Sequence, residues 1–150
     1  MRKCLNPCPR RAQTAPRIAS IFGGRRDRYE SAQSVCELTG TVPVTRKSGK
    51  TIHVVFRRAC RKSFRNTMRQ FAFCSLRSSV WARAYYDHAR DKGQSNATAL
   101  RNLAIRWLKI IYRMWMDGTE YNEQQYLKAL CRRKSPLASR LNLTLSMNKS

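Results

Sequence analysis

The sequence predicts a mainly α-helical domain that carries one short β-hairpin near its N-terminal third. Over most of the chain beyond residue 58, apolar side chains recur at three- and four-residue steps, which is the period of amphipathic helices. Residues 41–45 and 51–56 are instead rich in β-branched side chains, which favour strands. The five residues between these segments contain Gly49 and are short enough to connect a hairpin.

Capping residues predict where the helices begin and end. Ser31 is placed to cap a short helix that ends at Thr39, with Gly40 as its left-handed stop. Longer helices are predicted to start near residue 58, Ser79, Ser95 and Asn122. The helix after Ser95 is apolar around most of its circumference, so we expect it at the centre of the domain. Its narrow polar stripe consists of Asn102, Arg106, Lys109 and Arg113.

The chain divides into three regions. Residues 1–17 contain several Pro, Arg and Cys residues without periodicity, and we expect them to be disordered or unrelated to the domain. Residues 18–131 form the predicted domain, and its length is sufficient for one compact core. Residues 132–150 are expected to form a weakly ordered tail.

The charge balance is the strongest compositional feature. The chain has 31 Lys and Arg against 8 Asp and Glu, which gives a formal net charge of +23. Such a charge attracts phosphate-rich polyanions, while a hydrophobic content of 42% excludes a disordered basic tail. We therefore expect a folded domain with a nucleic-acid-binding face.

A run of cations on the helix near residue 58 is the first candidate for that face. No acidic residue occurs between Arg46 and Arg69, so nothing local neutralises the run. A solvated basic surface is the alternative explanation. The cations that share the predicted helix face are Arg58, Arg61, Lys62, Arg65 and Arg69, opposite the apolar residues Cys60, Phe64, Met68 and Phe71.

Ser48 is the second candidate, because it lies in a basic segment at or near the predicted hairpin tip. A hydroxyl group is a weak nucleophile until a base or a neighbouring charge activates it. Arg46, Lys47 and Lys50 could hold a phosphate group beside it, and Gly49 permits a close backbone approach. On these local features alone, an ordinary exposed turn is the better explanation.

Other chemistries find little support in the residue pattern. The eight carboxylates are scattered and the two histidines have no metal-ligand spacing, so we expect this chain to bind no metal or cofactor. Tyr85 and Tyr86 lack the arginine–histidine cluster that a tyrosine recombinase needs, and core packing explains them better.

Cysteine usage and hydropathy suggest a cytoplasmic protein. The six cysteines form no CxxC motif, so reduced and mostly buried thiols are expected. The apolar stretch 103–116 is interrupted by three cations and is not a membrane span. Binding of this helix to a membrane surface is a further alternative, but its polar stripe is narrow for that role.

The order and spacing of several short motifs resemble the C-terminal transposase domain of insertion-sequence family 110, a group of bacterial transposases that includes RNA-guided recombinases. The similarity runs from about residue 18 to residue 130. Its first block is Gly40-Thr41-Val42-Pro43-Val44, Ser48-Gly49-Lys50, Val55-Phe56-Arg57-Arg58-Ala59-Cys60 and Lys62. Its second block is Trp81-Ala82-Arg83-Ala84-Tyr85-Tyr86, Lys92-Gly93, Ala99-Leu100-Arg101, Arg106-Trp107 and Tyr121.

This resemblance implies DNA transposition through a serine that attacks a DNA phosphodiester, and it assigns that role to Ser48. In the family, an acidic N-terminal RuvC-like domain binds Mg²⁺ and completes the active site from another subunit. DNA, a structured guide RNA and other transposase subunits are the implied partners. Taken together, the predicted nucleic-acid contacts of this chain are Arg46, Lys47, Lys50, Arg57, Arg58, Arg61, Lys62, Arg65 and Arg69.

The acidic domain has no counterpart in this sequence, so we expect a truncated copy with little or no strand-transfer activity alone. Mg²⁺ is expected only with that missing domain. A basic nucleic-acid-binding module without catalytic activity is the alternative function.

Overall fold

The computed structural model describes residues 11–55, 57–133 and 135–147. In this part of the chain, seven α-helices surround one core, and a two-stranded hairpin lies between the second and third helix. The prediction of a mainly α fold with one hairpin is confirmed. The elements are α1 (Arg11–Phe22), a 3₁₀ turn (Arg26–Arg28), α2 (Ala32–Leu38), β1 (Val44–Ser48), β2 (Thr51–Val55), α3 (Lys62–Ser78), α4 (Val80–Asp91), α5 (Asn96–Asp117), α6 (Glu123–Arg132) and α7 (Pro136–Met147).

Helix α5 is the central element, as its apolar circumference predicts, because α2, α3 and α4 all pack against it. Trp107 of α5 is 1% exposed, and its Nε1 donates a hydrogen bond to Ser75 Oγ of α3 at 2.9 Å. Its ring contacts Phe71 and Trp81 at centroid distances of 5.1 and 4.8 Å.

None of the described helices is long and apolar enough to cross a membrane. The cations of the predicted polar stripe, Arg106, Lys109 and Arg113, are exposed.

Three of the predicted N-caps form. The side chains of Ser31, Ser95 and Asn122 each accept a hydrogen bond from the backbone N–H three residues later. The start of α4 is capped from elsewhere in the chain, because Glu123 Oε1 accepts hydrogen bonds from Ser79 Oγ at 2.7 Å and from the backbone N–H of Val80 at 3.0 Å. This carboxylate therefore fixes the start of α6 against the start of α4.

Helix α1 begins at Arg11, within the segment 1–17 that was expected to be disordered; residues 1–10 lie outside the described part. Ile18 and Phe22 are fully buried, and the indole of Trp115 donates to the carbonyl of Gly23 at 3.0 Å. These contacts with distant residues stabilise a helix that has little local sequence signal.

Helix α7 occupies most of the region that was expected to be a weakly ordered tail. Leu137 and Leu141 are 7% and 1% exposed and belong to the core. Arg140 forms an ion pair with Asp91 at the end of α4. Burial of these leucines explains why the chain continues as a helix after Pro136, a residue suited to a first helical turn.

The described cysteines match the expected buried thiols only in part. Cys36 is buried, and this burial raises the pKa of its thiol to about 11. Cys131 is exposed, and neither residue forms a disulfide bond. The buried thiol of Cys36 remains protonated at neutral pH and acts as a small apolar group.

Candidate nucleic-acid interface

The hairpin presents Ser48 at its tip. Strands β1 and β2 pair antiparallel with Ser48 opposite Thr51, so that only Gly49 and Lys50 connect them. Gly49 has a φ of +57°, as the first position of a two-residue hairpin loop requires. The connection is shorter than the predicted five residues because residues 46–48 belong to β1. Ser48 is exposed, in agreement with its predicted position at the tip.

The strand register decides which side chains accompany Ser48. Successive side chains leave a strand on opposite faces, so Lys47 lies on the face opposite Ser48. Lys47 is therefore not a same-face neighbour of Ser48 in the hairpin, and its contact with a phosphate stays a prediction. Arg46 pairs with His53 across the strands, and its side chain lies outside the described part. His53 shares the face of Ser48 as its diagonal neighbour, a relation that sequence separation alone does not show.

Helix α3 begins at Lys62, four residues later than predicted. Arg61 has extended backbone angles, and its backbone N–H donates to the carbonyl of Leu38 in α2 at 3.2 Å. This hydrogen bond keeps the preceding segment out of the helix, so Arg57 and Arg58 belong to the chain that leaves β2. The predicted apolar back face of the helix is confirmed by the burial of Phe64, Met68 and Phe71.

A cleft of about 450 Å³ lies between this segment, α3 and the beginning of α5. Nine of the described residues line this cleft; six of the nine are cations, and none of them is acidic or aromatic. Arg61 was predicted to lie on the basic face of the helix, but it is exposed and does not line the cleft. The cations are Arg57, Arg58, Lys62, Arg65, Arg69 and Arg101, and the other lining residues are Thr41, Asn66 and Ala97.

The positive charge of this basic cleft is only partly compensated. Glu37 Oε2 lies 3.5 Å from Arg57 Nη2 at one end. The pKa of the Arg101 guanidinium is lowered, first by burial and then by the positive charge of Arg69. The charges of Arg69 and Arg101 therefore interact unfavourably. The ion pairs of the described residues include none with Arg58, Lys62, Arg65 or Arg69.

The base of the hairpin is fixed by a close contact between Gly40 and Cys60. Gly40 has a φ of +62°, and a Cβ atom there would lie 2.6 Å from both Cβ and Sγ of Cys60. Cys60 was predicted on the apolar face of the helix, but it packs here instead. Because Gly40 precedes β1 and Cys60 follows β2, the contact joins the two ends of the hairpin beside the cleft.

Gly40→Ala should destabilise the domain by at least about 2 kcal/mol, because left-handed backbone strain and overpacking each contribute about 1–2 kcal/mol. Urea unfolding followed by circular dichroism measures this free energy. Gly93→Ala is the matched control, since Gly93 has a φ of +78° with no atom near its Cβ position. Equal losses in the two variants would show that the Cys60 contact is unimportant.

The described residues offer no alternative catalytic cluster. No group of three or more His, Cys, Asp or Glu residues is placed to hold a metal ion in this part of the chain. Asp87 accepts from Arg83 Nε at 2.9 Å and forms an ion pair with it on the surface of α4. Tyr85 lies under the guanidinium of Arg106, and Tyr86 donates to Asn96 Oδ1 at 3.1 Å. Both tyrosines are thus engaged in packing and structural contacts.

Comparison with known proteins identifies the family. The model of the transposase IS116/IS110/IS902 family matches residues 11–87, which is just over half of the chain. A Streptomyces coelicolor protein named as a transposase for the mini-circle IS117 is 30% identical over 110 residues, or 73% of this chain and 26% of that protein. A 43.6 kDa protein of insertion element IS110 from the same organism is 28% identical over 97 residues, or 64% of this chain and 24% of that protein.

The chain spans about a quarter of the length of these relatives. The matched family segment contains α1, the hairpin with Ser48 and five of the six cleft cations. These features, together with the predicted motif order, lead to one conclusion: the chain belongs to the IS116/IS110/IS902 family of transposases.

Proposed function

We propose that this chain is a DNA-binding recombination domain in which Ser48 attacks a DNA phosphodiester. The observation that supports this most directly is the placement of an exposed serine on a hairpin whose base adjoins the basic cleft. Cations in the cleft would bind the phosphate backbone without reading its sequence, and the hairpin would bring a hydroxyl group to it.

In the proposed reaction, Ser48 Oγ bonds to phosphorus as its proton leaves, and one phosphorus–oxygen ester bond of the DNA breaks. The DNA oxygen that leaves takes up a proton, and the product is a phosphoserine–DNA ester. His53, which shares the face of Ser48, is the proposed acceptor of the serine proton. Lys50 in the adjoining loop would stabilise the developing negative charge.

A Mg²⁺ site does not fit the described residues of this chain, which provide no cluster of carboxylate or imidazole ligands. We place metal binding on the acidic domain that the family resemblance implies. Other transposase subunits and a structured guide RNA are further proposed partners of the complete system.

DNA binding can be tested directly by fluorescence anisotropy of a labelled duplex over a series of salt concentrations. If all six cleft cations contact phosphates, log K should fall against log salt with a slope of about −5, since each contact contributes about −0.9. A salt-independent affinity, or no binding near 0.05 M salt, would contradict the proposed role of the cleft.

A nucleic-acid-binding module without catalytic activity is the second candidate function. It is supported by the basic cleft itself, which is sufficient for nucleic-acid binding without a reactive side chain. Both candidates predict the same salt dependence, but only the first predicts a covalent bond between Ser48 and DNA.

A further inference from the structure

Arg101 is a cleft residue that the cation run of α3 does not reveal. It lies on α5, is half-buried, and lines the basic cleft together with the cations of α3. Arg69 of α3 is close enough for its charge to lower the pKa of the Arg101 guanidinium. The fold therefore brings together one arginine from α3 and one from α5. These two helices pack against each other through other residues, such as Trp107 and Ser75.

The chemistry of the cleft favours a phosphate group over a nucleobase. None of the described residues that line the cleft is aromatic, and their guanidinium and ammonium groups favour contacts with phosphate over base stacking. Planar guanidinium groups match the oxygens of a phosphate and can donate two hydrogen bonds each. An anion between Arg69 and Arg101 would also remove the repulsion between these two groups.

We propose that Arg69 and Arg101 form a two-sided clamp on one phosphodiester of the DNA bound in the basic cleft. This inference rests on the proposed DNA-binding function and adds a specific anchoring site to it. Because the clamp joins α3 to α5, it holds the backbone at one place relative to the hairpin. The run of α3 cations alone would let the backbone slide along the helix.

A set of charge-removing variants tests the clamp. Arg101→Gln should weaken binding of a short DNA duplex about tenfold and reduce the salt slope by about 0.9, as expected for one lost phosphate contact. Arg69→Gln should have a similar effect. The loss of affinity in the double variant should be smaller than the product of the two single losses, because both side chains contact the same phosphate.

Arg113→Gln is the matched control, because Arg113 also lies on α5, pairs with Asp117 at 3.3 Å and does not line the cleft. It should change affinity less than twofold. Thermal unfolding without DNA checks that Arg101→Gln and Arg69→Gln retain the fold, so that a loss of affinity can be assigned to the missing phosphate contact.

The outcomes separate the clamp from the function on which it rests. If the wild-type chain binds DNA with a steep salt slope but Arg101→Gln behaves like Arg113→Gln, the clamp is wrong and the proposed function stands. If the changes in binding free energy for Arg69→Gln and Arg101→Gln are strictly additive, the two side chains do not contact the same phosphate, and the clamp is likewise wrong. If the wild-type chain does not bind DNA, the proposed function itself fails.

Discussion

Ser48→Ala should abolish formation of a covalent protein–DNA adduct by this chain. The assay mixes the chain with a full-length relative whose own nucleophilic serine has been replaced, and it separates covalent adducts on a denaturing gel. Alanine removes the oxygen that bonds to phosphorus, so no weaker adduct is expected in its place. DNA affinity should remain within about twofold of wild type, because Ser48 does not line the basic cleft.

Ser78→Ala is the control for this experiment, since Ser78 is an exposed serine at the end of α3. It should leave the adduct yield unchanged. An adduct that survives Ser48→Ala would show that another residue attacks the DNA. Loss of the adduct in both variants would indicate a general defect rather than a missing nucleophile.

Simultaneous replacement of Arg58, Arg65 and Arg69 by Glu should reduce DNA affinity at least about hundredfold near 0.15 M salt. Three phosphate contacts are lost and three repulsive charges are added inside the cleft, so the loss exceeds that expected from neutralisation alone. Fluorescence anisotropy with a labelled duplex measures this change, and circular dichroism verifies that the helical fold is retained.

A control with the same change in net charge separates the cleft from the overall charge. Arg77, Lys92 and Arg132 are exposed and lie outside the cleft. Their replacement by Glu should weaken binding only several-fold, through reduced long-range attraction. Similar losses in the two triple variants would mean that DNA binds to the whole basic surface without a defined site.

The sequence predicted the apolar side of α3 correctly except for Cys60, which precedes the helix, and it predicted only part of the basic side. Helical periodicity identifies Phe64 and Met68 as buried because α3 is regular there. The same periodicity fails at Arg61, where a backbone hydrogen bond to Leu38 starts the helix later. Arg101 could not be grouped with Arg69, since 32 residues separate them and only the packing of α3 on α5 brings them together.

The hairpin shows a similar division between local and tertiary information. β-Branched residues and Gly49 are local signals, so the position of Ser48 at the tip could be predicted. The face shared by Ser48 and His53 depends on strand register, and a shift of one residue would reverse it. Helix α1 was not predicted because its helical order depends on distant contacts such as the bond from Trp115 to Gly23.

The most direct test of the proposed function is to identify the amino acid that carries DNA in the trapped adduct. Nuclease digestion followed by proteolysis and tandem mass spectrometry would locate the residual nucleotide on the chain. We expect it on Ser48, in the peptide that contains Gly49 and the hairpin loop. A nucleotide on Tyr85, Tyr86 or any other residue would contradict the assignment of Ser48 as the nucleophile.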